Sequence, residues 1–316
     1  AHSKKPAWMI KIGLTLYDFF AKNSPMPSHK NVNQQEIIKY YPFLKTEHLK
    51  KGFHYYDGTM RDARLLIENM RSASDAGATC LNYANVTEFL FNNGKIIGVA
   101  YTSKAGNCER KAFAQFIINA TGNFSDQMRR LAKDSSTHLT ASKGIHLVFN
   151  QQLSPDAILL LSPIDQRVFF LIPWEGMTLL GTTDTKIPPA EQPVVEEQDI
   201  KYLLDSVNFY LKSPLKMNDI ASSFAGVRPL IYGEGSDTSS FSRKTQITTS
   251  PSGLMTVIGG KYTTYRAIAE DVVNLITSAP CKTKTLSFSV NWIDNNNMRI
   301  MESAGFYLPL IQRLKE

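Results

Sequence analysis

Cationic side chains in two separated stretches predict a site for a small anion. Arg228 lies in the segment Ala-Gly-Val-Arg-Pro-Leu (225–230), where a glycine and a proline restrict the backbone on its two sides. Arg243 follows it in the chain, and Lys261 comes directly after two glycines. Because a guanidinium binds phosphate through two parallel hydrogen bonds, the three residues predict a clamp for a phosphomonoester. Either arginine could instead pair with a carboxylate, and the sequence leaves both interpretations open.

Two glycine-containing turns are the second chemical feature. The segment Asn-Ala-Thr-Gly (119–122) follows an apolar strand, and Gly-Gly-Lys (259–261) joins a strand to a helix. Small residues allow a backbone to approach a ligand closely, and consecutive amides at a helix N-terminus bind anions. For the first turn alone a structural role is the favoured interpretation, and for the second the two roles are equally favoured. The motif GxGxxG, which places a pyrophosphate on a helix N-terminus, does not occur in the sequence.

A histidine and a polar turn lie between these features. His146 alternates with apolar residues in the strand-like segment GIHLVF, where a structural role is favoured for a lone histidine. An uncharged imidazole is also a suitable proton acceptor near neutral pH. Gly-Thr-Thr-Asp (181–184) ends another strand, and we interpret it as a tight turn in preference to a polar lining of a site.

Apolar periodicity predicts the elements that must position these residues. The segment 7–20 predicts a helix that is buried or, as the alternative, lies in a membrane interface. Asn93-Gly94 predicts a hairpin turn, and the run 144–183 predicts adjacent antiparallel strands. The remaining predicted elements are a helix over 56–77, a strand-like run over 111–120, a helix over 199–212, a strand over 254–258 and a helix over 262–278. Together they predict an α+β chain with two intertwined domains.

Composition restricts the class of protein. The chain has 316 residues, 43% of them hydrophobic, and a net charge of +7, which suits an anionic substrate, a phosphate-bearing cofactor or an acidic lipid surface. No dense basic run interleaves with aromatics, so nucleic acid is not an expected partner. Three widely spaced cysteines argue against a disulfide framework or a zinc site and favour a reducing compartment. No apolar stretch approaches the ~20 residues that span a bilayer.

Eight segments in the same order resemble FAD-dependent glycerol-3-phosphate dehydrogenases, within the wider group of D-amino-acid-oxidase-like flavoproteins. They are AWMIKIGLTLYDFF, YDGTMRDARL, INATG, KGIHLVF, FLIPW, LLGTTDT, FAGVRPL and GGKYTTYR. The resemblance implies an α+β fold with an α/β FAD-binding part, made of an incomplete FAD/NAD(P)-binding-type domain and an antiparallel-sheet substrate domain. It assigns 1–55 and 135–250 to the substrate domain, 56–134 and 251–280 to the FAD domain, and 281–316 to the beginning of a helical cap.

The resemblance also implies roles for individual residues. His146 would be the catalytic base, and Lys261 would stabilise negative charge on the reduced flavin. Arg228, Arg243 and Lys261 would bind the substrate phosphate. The implied FAD-binding residues are Val86, Thr121, Gly122, Gly259, Gly260, Lys261, Tyr262, Thr263 and Thr264. No metal is implied.

The implied reaction is oxidation of sn-glycerol 3-phosphate to dihydroxyacetone phosphate, with electrons passed through FAD to a membrane quinone. An oxidase that uses oxygen is the alternative within the family, and a non-catalytic phosphate-binding protein is the alternative outside it. The expected location is the cytoplasmic face of the inner membrane, and a homodimer is a further hypothesis. Since family members have a glycine-fingerprint unit before the segment 7–20, we expect an internal piece of a longer gene product, inactive and without FAD as isolated.

Overall fold

The computed structural model describes residues 6–22, 27–47, 49, 51–103, 108–137, 139–231 and 245–277. The chain divides into two compact units, of which the larger comprises Ala1–Gly58 and Tyr83–Val272. The second comprises Thr59–Asn82 and Val273–Glu316 and contains one described helix with an Arg64–Glu68 ion pair of 3.1 Å.

Helices and mainly antiparallel sheets alternate along the described residues, which confirms the predicted α+β class. The helices are α1 (Ala7–Phe20), α2 (Gln34–Tyr40), α3 (Asp62–Asp75), α4 (Ser125–Leu131), α5 (Glu197–Asn208) and α6 (Tyr265–Thr277). The strands are β1 (Lys30–Asn33), β2 (Lys51–His54), β3 (Ala84–Asn92), β4 (Lys95–Ser103), β5 (Cys108–Phe113), β6 (Ile117–Asn119), β7 (Leu139–Phe149), β8 (Ile158–Leu161), β9 (Val168–Trp174), β10 (Met177–Gly181), β11 (Thr185–Ile187), β12 (Ile220–Ile231), β13 (Gln246–Thr249) and β14 (Leu254–Ile258). The division into substrate and FAD domains stays a prediction.

Helix α1 forms where the apolar spacing predicts it, but none of its residues is buried by the described part of the chain. Trp8, Phe19 and Phe20 are 61%, 69% and 82% exposed. The helix is held at its C-terminal end, where the Asp18 carboxylate lies 2.6 Å from His29 Nδ1. The preferred interpretation of a buried helix is therefore wrong for the described residues. In the part of the chain that the structure describes, no helix is both long and apolar enough to cross a membrane.

The β3–β4 hairpin turns at Asn93-Gly94 as predicted, and both residues have the positive φ that such turns require. The predicted run over 111–120 is interrupted, because the chain changes sheets there. β5 pairs antiparallel with β4, whereas β6 pairs parallel with β14. One apolar run in the sequence therefore supplies strands to two sheets.

The largest sheet is built around β7. This strand pairs antiparallel with β10 and β11 on one side and with β12 on the other. One face of the sheet packs on α5 and forms the main core, which includes Ile145, Leu147, Phe149, Leu180, Leu203 and Val207. Because side chains alternate along a strand, His146 projects from the opposite face. The sheet thus separates an apolar core from the face that carries the predicted chemistry.

A buried ion pair joins this sheet to α5. Lys143 of β7 is 3% exposed, and its Nζ lies 2.7 Å from Asp199 Oδ2 and 2.5 Å from Glu196 Oε2. Asp199 is also buried and belongs to the capping box that begins α5. The free-energy cost of burying Lys143 and Asp199 is offset only when the two charges are paired.

Replacing Lys143 with methionine should lower the free energy of unfolding by about 3 kcal/mol, because it leaves the buried Asp199 carboxylate without its cation. The matched control is Lys201→Met. Lys201 forms an exposed ion pair with Asp205 within α5, and exposed ion pairs contribute little to the free energy of unfolding. Urea denaturation of the two variants measures the difference. Equal losses in both would contradict a stabilising role for the buried pair.

Candidate active site

The imidazole of His146 lies between two neighbouring strands on the outer face of the β7 sheet. Gly181 of β10 and Phe224 of β12 are its register partners. The Phe224 and His146 rings are stacked, with centroids 5.1 Å apart and planes inclined by 14°. A Cβ atom at position 181 would lie 2.7 Å from His146 Nε2, so only glycine leaves room for the ring in this position.

The guanidinium of Arg228 lies on the same face. Its Nη1 donates to the carbonyl oxygen of Thr183 at 3.1 Å, and its Nη2 donates to Thr182 Oγ1 at 2.8 Å. Asp184 Oδ1 is 3.9 Å from Nη1. The group packs flat against Gly144, where a Cβ atom would lie 2.6 Å from Cζ. The segment 181–184 joins β10 to β11 and contacts Arg228, while its role as a polar lining of a site stays a prediction.

His146 and Arg228 influence each other electrostatically. Burial of the ring, and secondarily the positive charge of Arg228, lower the pKa of His146 below its ordinary value. The imidazole is therefore uncharged near neutral pH and able to accept a proton. The Arg228 side chain as a whole is 34% exposed.

The two glycine turns meet at the carboxyl ends of parallel strands. β6 and β14 pair in parallel with Asn119 opposite Thr256, so the turns that follow the two strands lie at one edge of the sheet. Gly122, Gly259 and Gly260 have φ values of +58°, +73° and +80°. Each turn leads through a short 3-10 segment, 122–124 or 262–264, into a helix, α4 or α6. Backbone amides at the beginning of helices bind phosphates.

The second turn combines close packing with an exposed cation. A Cβ atom at position 260 would lie 2.7 Å from Thr245 Oγ1 and 2.8 Å from Ile268 Cδ1. Lys261 is exposed and is the residue that precedes the 3-10 segment. Thr264 donates its hydroxyl to the carbonyl oxygen of Lys261 at 2.9 Å. Tyr262 and Thr263 are exposed beside it.

Buried hydrogen bonds fix the first turn. Asn119 Nδ2 donates to the carbonyl oxygen of Ser125 at 2.9 Å, while Asn119 Oδ1 accepts from Thr121 Oγ1 at 2.7 Å. One residue later, Asp126 Oδ2 accepts from the backbone amide of Leu139 at 3.0 Å. Since Leu139 begins β7, this bond ties the turn to the sheet that carries His146.

The structure brings some of the predicted residues together and leaves others apart. His146 and Arg228 share one face, and Thr121 and Gly122 share one sheet edge with the residues 259–264. Val86 lies in another sheet, where it pairs with Tyr101, and its contact with the cofactor stays a prediction. Arg243 lies outside the described residues, so its place in the phosphate clamp also stays a prediction.

Sequence reasoning missed the packing roles of four residues that lie within the motifs quoted above. They are Gly144, Gly181 and Phe224 around His146 and Arg228, and Asn119 under the first turn. The motifs do not indicate these roles, because each role depends on contacts that form only in the folded chain. A glycine lies two residues before both His146 and Arg228. This spacing is the one signal that could have suggested close packing around the two side chains.

The family model of FAD dependent oxidoreductases matches residues 1–266. The chain is 39% identical to the aerobic glycerol-3-phosphate dehydrogenase of Bacillus subtilis over 91% of its own length and 57% of that protein. It thus spans little more than half the length of this relative. The resemblance predicted from the eight segments is confirmed.

Solved structures agree with this relationship. The glycerol-3-phosphate dehydrogenase of Bacillus halodurans, complexed with FAD, superposes with a TM-score of 0.70 at 31% identity, covering 83% of this chain and 55% of that one. The FAD-bound L-alpha-glycerophosphate oxidase of Mycoplasma pneumoniae superposes with a TM-score of 0.62 at 18% identity, covering 87% of this chain and 72% of that one, which is a likeness of fold alone. On this evidence the chain belongs to the family of FAD dependent oxidoreductases.

Proposed function

We propose that this chain carries the substrate-oxidising site of a glycerol-3-phosphate dehydrogenase that converts sn-glycerol 3-phosphate to dihydroxyacetone phosphate. The observation that carries the proposal is the pair of His146 and Arg228 on one sheet face, an uncharged imidazole near an arginine whose side chain is 34% exposed. A small phosphorylated alcohol needs both groups, one for its hydroxyl proton and one for its phosphate. The named relatives support the choice of substrate.

The residues of the two glycine turns fit FAD. Gly122, Gly259 and Gly260 have no side chain and adopt positive φ just after the ends of two parallel strands, so a ligand could approach the backbone closely there. Amides of the turns after Thr121 and Lys261 would hold the cofactor. FAD, when bound there, would supply the two-electron acceptor for the alcohol.

The side chains of this chain perform the remaining tasks. His146 accepts the proton of the substrate hydroxyl, because its lowered pKa keeps it uncharged near pH 7. Arg228 binds the phosphate and so fixes the distance of the reacting carbon from the base. Lys261 and the start of α6 stabilise negative charge that develops on the acceptor side.

Anaerobic mixing of the complete, FAD-loaded protein with sn-glycerol 3-phosphate tests the proposal. Loss of the oxidised-flavin absorbance and formation of dihydroxyacetone phosphate are expected, while glycerol should react far more slowly because it lacks the group that Arg228 binds. Unchanged flavin absorbance, with measurable binding of the phosphate, would instead favour a non-catalytic phosphate-binding protein. Peroxide formed in air in stoichiometric amount would identify an oxidase.

We also propose that electrons pass to a membrane quinone and that α1 contacts the bilayer from the cytoplasmic side. The exposed apolar side chains Trp8, Ile12, Leu16, Phe19 and Phe20 support the bilayer contact, since an interfacial helix buries such residues among lipid headgroups. The positive net charge of +7 favours an anionic surface.

Replacing Trp8 and Phe20 with serine should reduce binding to anionic phospholipid vesicles by about tenfold or more, because both side chains lose apolar area that lipid would cover. Co-sedimentation with vesicles measures the effect. The control Ile164→Ser removes a side chain that is 60% exposed in a loop between β8 and β9. Equal binding by the double variant and the parent would contradict membrane contact through α1.

A further inference from the structure

Among the described residues, the His146 ring is held by packing contacts with Phe224 and Gly181. Within the same part of the chain, neither of its ring nitrogens takes part in a hydrogen bond. The ring leans over the backbone of Gly181, and the ring of Phe224 covers its other face at 5.1 Å. The three residues are direct neighbours across β10, β7 and β12. An imidazole without a hydrogen-bonded partner needs another means of keeping its orientation.

We propose that Phe224 and Gly181 are positioning residues that hold the His146 ring ready to accept a proton. This inference rests on the proposed function of His146 as the base. Gly181 lets the ring tilt towards β10, because any Cβ there would overlap it. Phe224 prevents the ring from turning back towards β12, since the two rings are stacked with planes only 14° apart.

The exposure of Phe224 argues against a purely structural role. Its side chain lies on the outer face of an edge strand and is 51% exposed, whereas the core of the sheet lies on the other face. Its removal should therefore cost little stability but uncover one face of the imidazole. A positioning residue is expected to have this combination of properties.

The charged groups near the ring come from both neighbouring strands. Arg228 is the cation on β12, and Asp184 follows β10 and lies 3.9 Å from Arg228 Nη1. On β7 itself, Lys143 projects to the opposite face and pairs with Asp199. None of these groups is altered by a substitution at Phe224, so a change in the titration of His146 would report the loss of the stacked ring.

Histidine-selective isotope labelling and NMR of this chain test the proposal. The variant His146→Gln identifies the His146 signals, which in the parent should be shifted upfield by the Phe224 ring and should titrate below the ordinary histidine range. In Phe224→Leu the upfield shift should vanish and the midpoint should rise, because water reaches the ring. Phe224→Tyr should restore both properties. The control is Phe209→Leu, which removes an aromatic ring that packs edge-on against Tyr210 away from His146. It should change neither the chemical shifts nor the titration midpoint of His146.

Two outcomes would overturn the proposal in distinguishable ways. His146 signals that are the same in Phe224→Leu as in the parent, in a variant whose thermal unfolding shows it to be folded, would refute the positioning role. Unchanged turnover of His146→Gln in the complete enzyme would refute the base itself, even if the stacking were confirmed by NMR. If both ideas hold, Phe224→Leu lowers kcat by about tenfold and changes KM by less than about twofold.

Discussion

Replacing His146 with glutamine should lower kcat for sn-glycerol 3-phosphate by a factor of about 10² to 10⁴ in the complete enzyme, with a much smaller change in KM. Glutamine retains polarity and similar size but cannot accept the hydroxyl proton. Since the proposed phosphate-binding residues are unchanged in this variant, binding of the ground state should be largely preserved. Steady-state kinetics with the purified FAD-loaded protein measure both constants.

The pH dependence provides an independent check on the same residue. Since burial and Arg228 lower the pKa of His146, the acid limb of kcat/KM should have its midpoint below the ordinary histidine value of about 6.5. Activity should be present above that midpoint and lost as the pH falls through it, because the protonated ring cannot act as a base. The acid limb should be absent from the residual activity of His146→Gln.

His54 offers a control, because it is also a histidine next to an aromatic ring, with its centroid 4.8 Å from that of Tyr56 and the two planes inclined by 36°. His54→Gln lies outside the proposed site and should leave kcat and the acid limb as they are in the parent. If His54→Gln lowered kcat as strongly as His146→Gln, the loss would reflect general destabilisation and the assignment of the base would fail.

The sequence predicted those parts of the fold whose signals are local. Strand β14 begins and ends at the predicted residues. A short apolar run between two polar turns is typical of a buried strand, so its bounds can be predicted from the sequence. The hairpin at Asn93-Gly94 follows from the conformations that these two residues adopt at low cost. Antiparallel pairing among β7, β9 and β10 follows from short connections between alternating runs.

Strand β12 shows where local signals mislead. It is the longest strand described, yet it contains Gly226 and Pro229, which both argue against a strand. Proline is tolerated because β12 pairs with β7 alone among the described strands, so one edge needs no amide donor. The pairing of β7 with β12 is also what places Arg228 beside His146. The two strands are about 80 residues apart in the chain. No short segment of the sequence indicates which residues of one strand pair with which residues of the other.

The sequence suggested the chemistry of the candidate site but not how its side chains fit together. Residue type and spacing suggested a cation at 228 and two turns that could bind an anion, and the family resemblance suggested the base; these roles stay predictions. The sequence did not indicate that Gly144 and Gly181 are needed because a guanidinium and an imidazole lie where their side chains would be. Such a requirement depends on the atoms of a neighbouring strand, so it becomes visible only once the sheet is assembled.

Replacing Arg228 with alanine should lower kcat/KM for sn-glycerol 3-phosphate by about 10³-fold, mainly through a higher KM. The guanidinium is near enough to His146 to lower its pKa, and its proposed contact with the phosphate would be charge-assisted. Arg228→Lys should recover part of the loss, since an ammonium keeps the charge but cannot form two parallel hydrogen bonds. Alanine also removes a positive charge near the imidazole, so the acid limb of kcat/KM should move to higher pH, while lysine should leave it nearly unchanged.

Glycerol separates loss of phosphate binding from damage to the site. Arg228 also donates to Thr182 and to the carbonyl oxygen of Thr183, so its removal could disturb the segment 181–184 that adjoins His146. If that disturbance were the cause, the slow reaction of glycerol, which has no phosphate, would fall in parallel. If Arg228 acts on the phosphate, kcat/KM for glycerol stays within about twofold of the parent value while that for the phosphorylated substrate collapses. Arg110→Ala, on the exposed edge strand β5, should affect neither substrate and completes the comparison.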